Sequence, residues 1–215
     1  MFEKGRRTRI IFGTLAVLGL ILSVFAHFAS RFPGDLPASL WFQSFHGQWL
    51  LDAMKGISYV TGHWRAAVLV VLVAAIVWRY LGGLEGGMVI ISGLVMTANE
   101  ALKILINRPR PAADLVNVFV AETGKSFPSG HAFFGVVVLG MMAYLIIIHQ
   151  EKVYLKVLTA SVFTVFILWV GASRIYLGVH WTSDVIGGYV VGVPFLMLEI
   201  WLYKKLKVGL ENKMT

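Results

Sequence analysis

Six stretches of 16 to 20 residues, almost wholly apolar, decide what this chain can fold into. They cover residues 10–29, 66–81, 88–106, 132–148, 157–172 and 185–203. A helix needs about 20 apolar residues to cross a hydrocarbon layer of about 30 Å. Within that layer every backbone N–H and C=O must find its partner inside the segment, so such stretches become helices. Composition agrees: 58% of the 215 residues are hydrophobic and 14% are charged, against the roughly 25% charged usual in soluble domains. The predicted fold is all-α: a six-transmembrane helix bundle forming a single integral-membrane domain over residues 1–215, with a short interfacial helical segment between the first two spans.

The first apolar stretch follows Lys4, Arg6, Arg7 and Arg9 and exceeds the roughly 7–15 residues of a signal-peptide core. It is therefore expected to stay as a spanning helix. Residues 30–64 are more polar. Pro33, Gly34 and Pro37 break helix, and then Leu40, Trp41, Phe42, Phe45, Trp49, Leu50, Leu51 and Met54 recur at near-helical spacing. That pattern fits an amphipathic helix in the interface or packed on the bundle. Gly82-Gly83 and Gly86-Gly87 are expected to stop the second span. Gly188 and Gly192 form a small-xxx-small pair that permits close helix contact. His27, His46 and His63 stand alone and suggest no chemistry.

Six spans put both termini on one side. That side holds Lys4, Arg6, Arg7, Arg9, Arg79, Lys152, Lys156, Lys204, Lys205, Lys207 and Lys213. The other holds Arg31, Lys55, Arg65 and five cations in or beside polar motifs: Lys103, Arg108, Arg110, Lys125 and Arg174. Positive charge concentrates on cytoplasmic edges, so both termini are expected in the cytoplasm of a multi-pass cell-membrane protein, with the motif loops outside. This account also removes nucleic acid as a reason for the net charge of +8. The absence of cysteine excludes disulfides, thiolate metal sites and a cysteine nucleophile.

Three motif segments then fall on one face. They are the end of the third span (Lys103, Arg110), the start of the fourth (Ser129, Gly130, His131) and the connector between the fifth and sixth (Arg174, His180, Asp184). The stretch Pro128-Ser129-Gly130-His131 marks a sharp change from polar to apolar sequence, where a helix begins. Its free N–H groups and the positive end of the helix dipole suit an anion. Three cations without evident partners, together with backbone amides, match the oxygens of a phosphoryl group. Two histidines beside them can carry or deliver a proton near neutral pH. An ordinary capped helix and snorkelling charges explain each motif taken singly, but not their convergence.

Lys103-x6-Arg110-Pro111, Pro128-Ser129-Gly130-His131 and Ser173-Arg174-x5-His180-x3-Asp184 together resemble the three-part signature of the type 2 phosphatidic acid phosphatases. The likeness of layout covers nearly the whole chain, and it is greatest to bacterial members acting on phosphatidylglycerophosphate. The resemblance implies a lipid phosphatase that uses no metal or other cofactor. It makes His180 the nucleophile, forming a phosphohistidine, with Asp184 four residues on, one turn away if the segment is helical. His131 becomes the general acid, and Lys103, Arg110, Ser129, the Gly130 amide and Arg174 hold phosphate. Glu100 is expected to tune or neutralise Lys103; Arg108 and Lys125 flank the site; Tyr176 and Trp181 look like interface anchors. The expected partners are a lipid phosphate substrate and membrane lipids.

An alternative substrate is undecaprenyl diphosphate, whose release outside the cell suits an outward site. The same signature occurs in vanadium haloperoxidases, which look larger and soluble. A transporter or channel is the other class of reading. It fits less well, because the charges gather at one membrane edge rather than at the midplane.

Overall fold

The computed structural model describes residues 2–214, with side chains for residues 5–62 and 64–212. Lys4, His63 and Lys213, named above, lie outside the described side chains. Among the described residues every regular element is helical: α1 (Phe2–Phe28), α2 (Asp35–Gln43), α3 (Gln48–Val60), α4 (His63–Tyr80), α5 (Gly83–Ile106), α6 (Gly130–Phe134), a π-helical turn (Gly135–Leu139), α7 (Gly140–Ile148), α8 (Val153–Tyr176) and α9 (Thr182–Met214). Five segments are long and apolar enough to cross a membrane: Gly5–Phe28, Gly83–Ile106, Gly130–Ile148, Val153–Tyr176 and Thr182–Asn212. A sixth arises if α3 and α4, bent by 68°, form one broken span.

The segment from α6 to α7 is the axis of the bundle. Of its spanning residues 67% are buried, against 6% in α8 and 11% in α1. Phe134, Val138, Met141 and Leu145 pack there with Met88 and Val89 of α5 and Tyr203 of α9. Close approach sets the position of α9. A Cβ at Gly188 would stand 2.7 Å from the Ser129 carbonyl oxygen, and one at Gly192 would stand 3.1 Å from Val136 Cβ. The small-residue pair thus seats α9 against the start of the axis helix.

The helices depart from the sequence expectation in four places. The glycine pairs do not end a helix before residue 88, because α5 already starts at Gly83. Gly86 is needed inside it, since a Cβ there would stand 2.7 Å from Trp78 Cβ of α4. Packing overrides the weak helix propensity of glycine. The interfacial segment is two helices, α2 and α3, parted at Gly47, whose φ of 146° suits glycine. Both α8 and α9 reach into the expected connector, so Arg174 lies in the last turn of one helix and Asp184 in the first turn of the next. Tyr176 and Trp181 are buried rather than interfacial; Tyr176 stacks on Phe119 at 5.7 Å.

The ends of α1, α5 and α8 and the starts of α6 and α9 meet at one end of the bundle. The opposite end is tied by Tyr203 Oη, which donates to Glu85 at 2.8 Å. Both α1 and α9 therefore have their chain-terminal ends at the end away from the motif residues.

Candidate active site

Local turns bring the three motifs together. Lys103 lies on the last turn of α5, and Asn107, in the left-handed region at φ 57°, turns the chain away from the helix. The loop closes when Ser126 N donates to Arg108 O at 2.9 Å. Ser129 N then donates to the Asp184 carbonyl at 3.0 Å, fixing the start of α6 to the start of α9. After α8, the N–H groups of Val179 and His180 donate back to Arg174 O at 3.2 and 3.3 Å. This turn carries His180 into the centre. It also means that His180 and Asp184 do not share a helix, since α9 begins at Thr182.

His180 is almost wholly buried. Its Nε2 lies 3.2 Å from Arg110 Nη1, a group that can only donate, so Nε2 is the accepting nitrogen. The hydrogen then sits on Nδ1, which faces Ser126 Oγ at 3.4 Å and Asp184 Oδ2 at 3.6 Å. The longer distance is an electrostatic contact rather than a hydrogen bond. Ser126 Oγ donates to Asp184 Oδ2 at 2.5 Å, so the hydroxyl stands between carboxylate and ring. His180 lies between spans, and burial holds its pKa well below the usual imidazole range. The charges of Arg110, Arg174 and Lys103 push the same way. This direction favours the neutral ring, with an unprotonated Nε2 that accepts from Arg110.

Arg110 and Arg174 are paired, contrary to the sequence reading, and Lys103 pairs with Glu100 as expected. Lys103 Nζ donates to Glu100 Oε1 at 2.9 Å. Arg174 is fully buried; its Nη2 donates to Glu122 Oε1 at 2.5 Å and its Nη1 to Ser58 Oγ. Arg110 Nη2 lies 3.8 Å from Glu122 Oε2 and donates to Thr123 O at 3.0 Å, while Nη1 donates to Val179 O at 2.8 Å. Burial lowers the Arg110 pKa, an effect opposed by Glu122, Asp184 and Glu100. A Cβ at Gly130 would stand 3.1 Å from Lys103 Nζ, so the bare glycine lets the ammonium reach the start of α6. His131 Nε2 faces the Ser58 carbonyl at 3.2 Å and therefore carries a hydrogen.

A cavity of about 620 Å³ opens in front of these groups. Lys103, Arg110, Gly130, His131 and His180 line its head, together with Glu100 and Glu122. Its body runs between α4 and α5 past Val70, Val71, Gly93 and Leu94, an apolar slot. Ser129, Arg174 and Asp184 stand behind this wall, fully buried. Ser129 Oγ has no hydrogen-bond partner among the described residues.

Sequence reading missed Ser126, Glu122, Ser58 and Asp35, and it misplaced Arg108. Arg108 is fully buried, with Nη1 on Asp184 Oδ1 at 2.5 Å and Nη2 on Asp35 Oδ2 at 3.0 Å, away from the cavity. The polar run around Glu122 and Ser126 was the only available signal; Asp35 and Ser58 come from other parts of the chain. Lys125 is exposed.

Comparison with known proteins shows the family and the fold. The model of the PAP2 superfamily matches residues 83–207. Phosphatidylglycerophosphatase B of Bacillus subtilis is 33% identical over 168 residues, covering 74% of this chain and 78% of that protein. An undecaprenyl-diphosphatase of Sulfolobus acidocaldarius is 30% identical over 112 residues, half of each chain. The crystal structure of a transmembrane PAP2-type phosphatidylglycerolphosphate phosphatase from Bacillus subtilis superposes with a TM-score of 0.79 at 28% identity, covering 90% of this chain and 96% of that one. LpxE of Aquifex aeolicus shares the fold, with a TM-score of 0.63 at 21% identity over 80% of this chain and 97% of that one.

Proposed function

This chain belongs to the PAP2 superfamily of phosphatases, and from that premise we propose that it hydrolyses phosphatidylglycerophosphate to phosphatidylglycerol and phosphate through a phosphohistidine on His180. The observation that carries the mechanism is the buried imidazole of His180 at the cavity head. Its Nδ1 faces Ser126 and Asp184, its Nε2 faces Arg110, and Lys103 and His131 line the same cavity head.

Nε2 attacks phosphorus as the bond to the glycerol oxygen breaks in line. Lys103 and Arg110, at the cavity wall, bind the equatorial oxygens, and the buried Arg174 backs them. The Gly130 amide completes the phosphate seat at the start of α6, and Ser129, whose Oγ has no partner among the described residues, stands directly behind it. The leaving group is a poor one, a lipid alkoxide. His131 gives it a proton, a contribution typically of about 10²–10⁴-fold. Water then attacks the phosphohistidine with His131 taking its proton, and phosphate leaves. Asp184 stabilises the positive charge that develops on the ring of His180. The apolar slot between α4 and α5 takes an acyl chain.

The site opens to the extracytoplasmic face and both termini lie in the cytoplasm. Supporting this orientation, the terminal ends of α1 and α9 lie away from the site and carry Arg6, Arg7, Arg9, Lys204, Lys205 and Lys207. An outward site also favours a second substrate, undecaprenyl diphosphate, the class named in the Sulfolobus relative.

One assay tests both. Purified protein in detergent with a chelator is given phosphatidylglycerophosphate, phosphatidic acid and undecaprenyl diphosphate, with His180→Ala as control. Chelator-resistant phosphate release that is greatest on the first lipid and lost in the variant is expected. Preference for the diphosphate would favour the second substrate, and release surviving in His180→Ala would overturn the mechanism.

A further inference from the structure

We propose that Asp35 and Arg108 are positioning residues for the nucleophile, holding Asp184 and, through Ser126, the imidazole of His180. The inference rests on the reading of His180 as the attacking group. Asp35 belongs to α2, outside the residues 83–207 that the family model matches.

The side chains form one buried chain of contacts. Asp35, Arg108, Ser126, His180 and Asp184 are each no more than 2% exposed. Arg108 is spent entirely inward. Its Nε donates to Ala29 O at 3.2 Å, its Nη2 to Asp35 Oδ2 at 3.0 Å, and its Nη1 to Ser183 Oγ at 2.8 Å and Asp184 Oδ1 at 2.5 Å. Asp35 is equally committed. Its Oδ1 accepts from Ser183 N at 2.9 Å, and its Oδ2 accepts from Ser183 Oγ at 2.7 Å and Phe32 N at 2.6 Å. Asp35 thus grips both the arginine and the first turn of α9, one residue before Asp184.

This arrangement fixes which oxygen of Asp184 faces His180. Arg108 takes Oδ1, which leaves Oδ2 to accept from Ser126 Oγ at 2.5 Å and Trp181 N at 2.7 Å. With its proton committed to Asp184, the Ser126 oxygen offers its lone pairs to His180 Nδ1–H. The tautomer with an unprotonated Nε2, which Arg110 favours from the cavity side, is therefore also held from the far side, by groups that never meet substrate. Without Asp35, Arg108 has only one carboxylate to balance its charge and is drawn onto it more closely. Asp184 then has no fixed position from which to orient Ser126.

The test separates positioning from folding. Asp35→Asn keeps size and an acceptor but removes the charge. It is expected to lower kcat about 10-fold per folded molecule while KM for the lipid phosphate stays within about 2-fold, since no phosphate-binding group touches it. Asp184→Asn should lose more. The double variant should be no worse than Asp184→Asn alone, because Asp35 acts only through Asp184. Ser183→Ala removes no charge and serves if Asp35→Asn does not accumulate; a loss in kcat of about 3-fold at constant KM is expected. Multiplying losses in the double variant, a raised KM with normal kcat, or unchanged kcat in the folded fraction of Asp35→Asn or Ser183→Ala would each overturn the inference. If Asp184→Asn itself retains full kcat, the reading of the site fails, and this inference with it.

Discussion

Glu122 is the group that a phosphate must contend with, and neutralising it should tighten anion binding. Its two oxygens address both arginines of the signature: Arg174 Nη2 at 2.5 Å and Arg110 Nη2 at 3.8 Å. A phosphate dianion that takes these guanidiniums either displaces the carboxylate or sits beside it. At about 5 Å and an effective dielectric of about 20, a like-charge pair repels by roughly 3 kcal/mol. Glu122→Gln removes that repulsion and keeps an acceptor for Arg174. Part of the gain is lost because an amide holds the guanidiniums in place less firmly. The net expectation is about 1–3 kcal/mol, or about 5- to 150-fold tighter binding. The assay is the inhibition constant of inorganic phosphate, paired with thermal unfolding. The ligand-free variant should melt lower, since the buried Arg174 has lost its ionic partner, and phosphate should restore it. An inhibition constant that is unchanged or higher would refute the reasoning. The carboxylate would then be holding the arginines in place for phosphate.

Further expectations follow from other contacts. His131→Ala should damage monoester hydrolysis more than diphosphate hydrolysis, because a diphosphate leaves without a donated proton; equal loss in kcat on both would remove His131 as the acid. Burial depresses the pKa of His180, so in ¹⁵N-histidine-labelled protein the imidazole signal absent from His180→Ala should remain neutral at about pH 6; a protonated ring there would refute a neutral nucleophile. The linkage sign follows. The unfolded imidazole binds its proton first, so this group removes stability as pH falls from about 6.5 towards the folded value. Gly93→Val should obstruct the slot, since a Cβ at Gly93 would stand 2.7 Å from Val70 Cγ1. Its kcat/KM on a long-chain lipid phosphate should fall well below that on p-nitrophenyl phosphate; a parallel fall on both would mean the chain lies elsewhere.

The spans and the three motifs were legible because each is local. Apolar runs near the length of a bilayer announce themselves, and Lys103, Arg110, Ser129, His131, Arg174, His180 and Asp184 stand at readable intervals. Helix ends were less legible because packing decides them: Trp78 against Gly86 keeps α5 helical where glycine pairs suggest a stop. Partners were not legible at all. Glu122 lies 52 residues from Arg174, and Asp35 lies 73 from Arg108. Nothing in the spacing of either member reveals the other. Tyr176 and Trp181 look like interface residues by type, but the turn that carries His180 inward buries them on both sides of it.

The charges form two layers of opposite excess, and this division explains why cations of similar sequence have different duties. Behind the cavity, one guanidinium, Arg108, is shared by two carboxylates, Asp35 and Asp184. At and beside the cavity wall, one carboxylate, Glu122, is shared by two guanidiniums, Arg110 and Arg174, while Lys103 is matched by Glu100. The inner layer carries surplus negative charge, held by Ser126, Ser183 and backbone N–H groups, and it lies behind the ring of His180, which would become cationic in the proposed attack. The outer layer carries surplus positive charge facing the space a phosphate would fill. Arg108 and Arg110 are two residues apart, yet the loop directs one inward to Asp35 and Asp184 and the other to the cavity wall. A cation at the membrane edge is therefore assigned by the layer it enters, which its neighbours in sequence do not specify.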